Sequence, residues 1–365
     1  MSSTLAFLRA HARPDRAAVH VSEVSYARGV TTLPADLYLP PRARGRRPGF
    51  VILHGLTCTA RAHQGLQRFA RAVGASGHVA LVPEIPEWRE LHIAPALTID
   101  TIRAAVRALH DRPEVDPERI GLLGFSFGAT QALVAVTDPE VARLLRAVVA
   151  WGGYCDVGRL FRFGITGDHE LDGAAHHVAP DPYGRWIVAG NYLTAVPGHE
   201  RDEAVAVALH DLARDAGRRG IPSYDPSLDP VKFRLRTSLS PAQRQLFDRL
   251  APPAERADVS SAENRSLADA LAAAALRIDP LLDPGPWLPR VDVRTLLAHG
   301  RDDRLIPFTE TLRLARALPS DRVLDTVVTA LFAHSGGASH GLGPVGLARE
   351  SARFVALIRR LLRVL

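Results

Sequence analysis

The sequence predicts an α/β protein, a mostly parallel sheet with helices on both faces, interrupted by a large helical insertion. Three observations carry this. Short apolar runs bounded by Gly and Pro alternate with helix-period segments up to Trp151 and again from Val293. Between about Cys155 and Pro289 the alternation stops, yet the stretch is too apolar to be a disordered linker. One strand-to-helix junction reads Gly124-Phe125-Ser126-Phe127-Gly128.

The elements follow in order. Ala18 to Tyr26 and Thr31 to Leu39 alternate as a hairpin with its break near Arg28-Gly29. Gly49 to Leu53 is a short apolar strand ending in His54-Gly55. Arg61 to Val73 has helical spacing and is stopped by Gly74 and Gly77. His78 to Val82 reads as a strand cut by Pro83, and Ile99 to Leu109 as a helix. Ile120 to Leu123 is the strand before Ser126, Ala129 to Val136 the helix after it, and Ala147 to Trp151 the next strand. Within the insertion, Arg185 to Leu193, Glu203 to Ala213, Pro241 to Leu250 and Ala262 to Leu276 read as helices, with no strong buried strand. The alternation resumes with strand Val293 to Ala298, helix Phe308 to Leu318, strand Val323 to Phe332 and helix Val345 to Leu362.

Bulk properties exclude several function classes. Of 365 residues, 47% are hydrophobic and 23% charged, ordinary for a globular protein. The net charge is +6, but the arginines are scattered and Lys232 is the only lysine. A nucleic-acid binder would gather its cations on one face, so no nucleic-acid partner is expected. Cys58 and Cys155 are far apart, which implies neither a disulfide framework nor a metal set and favours a reduced, cytoplasmic setting. The N-terminus lacks the apolar core of a signal peptide, and no apolar run reaches the roughly 18 residues of a membrane span. Arg353 to Leu365 is apolar and basic at helical spacing, which suits a terminal helix docked on the sheet better than a membrane-surface helix. Asp168-His169-Glu170 with His176-His177 fits no standard ligand spacing and reads as a solvated turn, so no metal is expected. No glycine-rich phosphate loop follows the first strand, so no nucleotide cofactor is expected.

The glycine-flanked serine has a mechanical reading. A serine at a sharp strand-to-helix turn occupies a strained backbone region with its hydroxyl exposed. Glycines two residues away on either side let strand and helix approach, and the N–H of Phe127 points to where an oxyanion would form. A serine hydroxyl needs a base, and the base an orienting acid. In an open parallel sheet such groups gather at the carboxyl ends of the strands. After the Val293 strand, Gly300-Arg301-Asp302-Asp303-Arg304-Leu305-Ile306-Pro307 fits a Gly-x-x-Asp-x-x-Ile-Pro pattern that selects Asp303; Asp302 and Asp156 are rivals. After the Val323 strand come His334 and, six residues on, His340, of which His334 is preferred as base. A second oxyanion donor is expected after the Gly49 strand, from Leu56 or Thr57, with Leu56 preferred. His54 reads as a brace for that loop. Phe125, Trp151, Tyr154 and, from the insertion, Trp186 are candidate substrate-binding side chains, each also readable as core.

These residues resemble the α/β-hydrolase superfamily, in its serine esterase, lipase and dienelactone-hydrolase-like branch. The resemblance rests on Ala35 to Pro40, the His54-Gly55 loop, the Ser126 pentapeptide, the Gly300 to Pro307 stretch and His334, and covers 1–154 and 290–365. It implies an eight-stranded, mostly parallel sheet with a lid, here 155–289, inserted after strand six. It further implies cleavage of carboxylic esters by a Ser126–His334–Asp303 triad through an acyl-enzyme, without specifying the substrate. Aromatic residues lining the pocket would suit a small-molecule ester with a small to medium apolar acyl group. The same residues would serve an acyltransferase or amidase, and a silent fold used for binding is the reading from another class. Epoxide hydrolase and haloalkane dehalogenase chemistry would need a carboxylate where Ser126 stands.

Overall fold

The computed structural model describes residues 2–41, 45–256, 262–331 and 342–365. Its strands are β1 (His20–Arg28), β2 (Thr31–Leu39), β3 (Arg47–Leu53), β4 (Val79–Pro83), β5 (Val115–Phe125), β6 (Ala147–Trp151), β7 (Asp168–Leu171), β8 (Ala174–His177), β9 (Arg294–Gly300) and β10 (Val323–Thr329). Among the described residues the main sheet has eight strands in the order β1-β2-β4-β3-β5-β6-β9-β10. The β1/β2 hairpin is antiparallel and joins β4 antiparallel; every other pairing in the main sheet is parallel. The hairpin turns on Gly29, whose φ of +58° suits the first central position of a two-residue connection.

The central strands are almost wholly buried because helices cover both faces, which is why they read as continuous apolar runs. Successive residues still serve opposite layers. Phe50 and Ile52 of β3 enter one core with Leu123, Val149 and Leu296, while Val51 and Leu53 enter the other with Leu122 and Val148. The first core is closed by helices Ser3–Ala12, Gln64–Ala75 and Pro344–Leu361, the second by Pro95–His110, Phe127–Ala135 and Phe308–Ala317.

Between β6 and β9 the chain forms the α-helices Val157–Thr166, Pro182–Tyr192, Glu203–Arg219, Asp229–Thr237, Pro241–Leu250 and Ala262–Ile278. Their buried side chains, including Leu209, Phe247 and Leu271, continue the second core, so the insertion packs onto one face of the sheet. Helix Val157–Thr166, helix Asp229–Thr237 and the β7/β8 hairpin were not expected from sequence. The hairpin replaces the expected solvated turn. His169 stacks on His176, and both rings pack edge-on against Phe308, a tertiary contact invisible in a polar segment. No helix of the described residues is long and apolar enough to cross a membrane.

Candidate active site

Ser126 stands between β5 and helix Phe127–Ala135 with φ +57° and ψ −128°. This conformation costs of order 1–3 kcal/mol and persists only because its surroundings over-determine it. Its N–H donates to the Trp151 carbonyl at 2.8 Å, continuing the β5–β6 ladder, and its carbonyl accepts from Ala129 N at 2.9 Å. The flanking glycines are sterically required. A Cβ at Gly124 would lie 2.2 Å from the Gly128 oxygen, and one at Gly128 would lie 2.3 Å from the His54 oxygen.

The loop after β3 presses on the serine: a Cβ at Gly55 would meet Ser126 Cβ at 3.0 Å and Oγ at 3.3 Å. His54 braces that loop. Burial pushes its pKa down to about 4, so the ring is neutral near pH 7, and its Nδ1–H donates to the Gly55 carbonyl at 2.6 Å. Neither the Leu56 N–H nor the Phe127 N–H donates to a protein acceptor among the described residues.

Asp303 lies beyond the carboxyl end of β9 and is buried, while neighbouring Asp302 is exposed. Asp303 Oδ1 accepts the N–H groups of Leu305 at 2.9 Å and Ile306 at 3.1 Å. Beneath it the buried His299 donates from Nε2 to the Ile306 carbonyl at 2.9 Å, which leaves Nδ1 to accept from the Thr311 hydroxyl at 2.6 Å. This scaffold under the acid loop escaped sequence reasoning. Asp156, a rival for the acid, instead caps helix Val157–Thr166 by accepting the Arg159 N–H at 2.7 Å. His334 and His340 lie outside the described residues.

A pocket of about 110 Å³ opens on Ser126. Leu56, Phe127 and Tyr154 line it together with Tyr183, Arg185 and Leu305. Tyr154 is anchored by its hydroxyl on the Leu282 carbonyl at 2.7 Å. The other three candidate substrate-binding residues are not among the residues lining this pocket. Phe125 and Trp151 are cross-strand partners whose rings pack with Phe69 in the opposite layer. One residue before Ser126, Phe125 faces the other side of the sheet because side chains alternate along a strand. Trp186 turns away from the pocket on its helix, donating to the Leu250 carbonyl at 3.0 Å with Lys232 over its ring.

The insertion is tied to the loop after β3 and to the loop after β9. The Tyr183 hydroxyl donates to the Leu56 carbonyl at 3.3 Å, and Asp181 N donates to the Arg304 carbonyl at 2.7 Å. Glu310, buried and also unforeseen, accepts from Cys155 N, Asp156 N and Arg159 Nε at 2.7–3.0 Å, joining the loop after β6 to helix Phe308–Ala317. Among the described residues no cluster of three or more His, Cys, Asp or Glu could hold a metal ion.

The strand order, the serine turn and a family-model match place this chain in the α/β-hydrolase superfamily. The matching model is that of the dienelactone hydrolase family, over residues 33–172, less than half of the chain. Comparison with the curated proteins finds no match. Among solved structures, the chain is similar to an acylaminoacyl peptidase of Pyrococcus horikoshii at 12% identity and TM-score 0.48, covering 94% of this chain and 41% of that one. The chain thus spans well under half the length of that peptidase. It is also similar to Est1E from Butyrivibrio proteoclasticus, at 11% identity and TM-score 0.48 over 92% of this chain and 99% of that one. A third similar structure is a dienelactone hydrolase, itself described as putative, from Klebsiella pneumoniae, at 15% identity and TM-score 0.44 over 94% and 99% of the two chains.

Proposed function

We propose that this protein is a serine hydrolase that cleaves carboxylic esters through an acyl-enzyme on Ser126. The observation that carries the reading is the strained Ser126 turn, opening on a largely apolar pocket beside two uncommitted backbone N–H groups. His334 takes the proton from Ser126 Oγ as it attacks the acyl carbonyl. The N–H groups of Phe127 and Leu56 hold the tetrahedral oxyanion, and His334 then gives the proton to the departing alcohol. Water, deprotonated by the same imidazole, hydrolyses the acyl-enzyme. Asp303, its Oδ1 fixed by two backbone donors, orients the imidazole and stabilises its charged form. The helix Pro182–Tyr192, which with its N-cap Asp181 reaches the loops after β3 and β9, acts as a lid that shapes the pocket and limits water.

The test is steady-state hydrolysis of paired p-nitrophenyl esters and p-nitroanilides by wild type, Ser126→Ala, His334→Ala and His340→Ala. The account expects turnover of esters in preference to anilides, lost in Ser126→Ala and His334→Ala and retained in His340→Ala. Full ester activity in a folded Ser126→Ala variant would overturn it; loss in His340→Ala alone would reassign the base.

A further inference from the structure

We propose that Arg61 is a positioning residue for the oxyanion hole: its ion network fixes the loop after β3 and so aims the Leu56 N–H at the oxyanion formed at Ser126. The inference rests on the reading of Ser126 as nucleophile and deepens it.

Arg61 closes the loop that carries Leu56, and every nitrogen of its guanidinium meets a carboxylate. Nε donates to Glu84 at 3.0 Å, Nη2 to Glu23 at 2.6 Å and Nη1 to Asp36. The three acids come from different parts of the sheet: Glu23 from β1, Asp36 from β2 and Glu84 from just beyond β4. Glu84 is buried and held in turn, its N–H donating to the Pro34 carbonyl at 2.9 Å and its carbonyl accepting the Tyr26 hydroxyl at 2.6 Å. Arg89 also reaches Glu84, but it is exposed and 3.6 Å away. A planar guanidinium can serve three carboxylates at once through its fixed fork of donors; an ammonium cannot reproduce that geometry.

Between Leu56 and Arg61 the chain makes a tight turn. The Ala60 N–H donates to the Thr57 carbonyl at 3.0 Å, and the Thr57 and Thr59 hydroxyls are 2.9 Å apart. Ala60 takes a φ of +44°, a left-handed conformation rare for a residue with a Cβ. Such a conformation persists only where its surroundings impose it, and Arg61 is the adjoining anchor. Leu56 has a weaker hold of its own: its carbonyl accepts from the Tyr183 hydroxyl at 3.3 Å, and its N–H has no protein acceptor among the described residues. Phe127 begins a buried helix, so its N–H keeps its direction. Releasing Arg61 therefore slackens one oxyanion donor and leaves the other in place.

The experiment measures hydrolysis of p-nitrophenyl valerate and inhibition by 1,1,1-trifluoro-2-hexanone on wild type, Ser126→Ala, Arg61→Met, Arg61→Lys and Arg103→Met. Ser126 Oγ adds to the ketone carbonyl carbon and gives its proton to the base, which leaves an oxyanion in the same hole. Arg103, on helix Pro95–His110, is the control: it makes three hydrogen bonds to Asp100 and Asp138, neither of which belongs to the loop after β3. The proposal expects Arg61→Met to lower kcat roughly ten- to a hundredfold with KM within about threefold, less than the roughly 10²–10³ lost with a donor outright. The ketone Ki should rise by the factor by which kcat/KM falls. Arg61→Lys should fall in between, and Arg103→Met should lower the melting temperature without lowering kcat. Wild-type kcat in Arg61→Met, a fall in kcat without weaker ketone inhibition, or an equal fall in Arg103→Met would each overturn the positioning role and leave the serine-hydrolase reading standing. Should Arg61→Met fail to fold, a folded Arg61→Lys with wild-type kcat and Ki would overturn it as well. Turnover that persists in Ser126→Ala, or none in folded wild type, would overturn the serine-hydrolase reading and this inference with it.

Discussion

Adding a single methyl group at Gly124 probes the junction on which the site depends. The new Cβ would lie 2.2 Å from the Gly128 oxygen, 2.5 Å from the Gly128 carbonyl carbon and 2.7 Å from Ala129 N. All three are backbone atoms of helix Phe127–Ala135, so no side-chain rotation relieves the contact. Strand β5 is held on both sides by β3 and β6, and the helix is buried along its length, so one must move by about 1 Å against packed neighbours. Overpacking of this kind costs about 3 kcal/mol, the upper end of the usual range. That corresponds to a loss of about 4 °C in Tm for a chain of 365 residues, at about 2.1 cal/mol/K of unfolding entropy per residue. Gly29→Ala is the control. Its φ is +58° with nothing within 4 Å of the added atom, so it pays only the left-handed backbone cost of about 1 kcal/mol. Calorimetry of both variants reads the difference. Because a 1 Å displacement of a reacting group can cost about a hundredfold in rate, Gly124→Ala should also react far more slowly at Ser126. A Gly124→Ala protein that melts with wild type, or no lower than Gly29→Ala, would refute the steric account.

Three further outcomes follow from buried groups and from the pocket wall. Burial holds His54 and His78 at about 4, so between that value and about 6.5 the unfolded chain binds more protons than the folded one. Stability is therefore complete above about pH 6.5 and falls as pH drops toward 4, by up to about 1.4 kcal/mol per unit for each ring; urea midpoints that stay flat across this window would contradict it. Glu310→Ala strands two backbone donors and the Arg159 guanidinium and should cost about 3 kcal/mol in chemical denaturation. Gly164→Ala, in the last turn of helix Val157–Thr166 on the pocket wall with nothing within 4 Å of the new methyl, should gain about 0.5 kcal/mol in stability. The same methyl should raise KM for longer acyl esters relative to acetate, which a p-nitrophenyl ester series reads directly.

The sheet was legible in sequence because its parallel strands are buried on both faces. β6 spans Ala147–Trp151 as read, and β5, β9 and the strand-linking helices fall close to their expected positions. β5 begins at Val115, earlier than its apolar run, because ladder pairing extends into the polar residues before Ile120. The serine turn was legible because its glycines answer a local steric demand. Side-chain destinations were less so. Phe125, Trp151 and Trp186 have the residue types of a pocket wall, but strand alternation sends the first two to the opposite layer and helical phase turns the third away. Arg185 went unnoticed because an arginine beside Trp186 in an arginine-rich chain carries no local signal; only its burial in the pocket distinguishes it. Glu310 and His299 are structural supports whose partners are distant in sequence, so no spacing rule points to them.

The central claim is that Ser126 is an activated nucleophile. Incubation with a fluorophosphonate, followed by peptide mass spectrometry, tests it most directly. The account predicts one covalent adduct, on the peptide containing Ser126, absent in Ser126→Ala and formed much more slowly in Gly124→Ala. An adduct on another residue, or none on a folded wild-type protein whose pocket admits the probe, would contradict it.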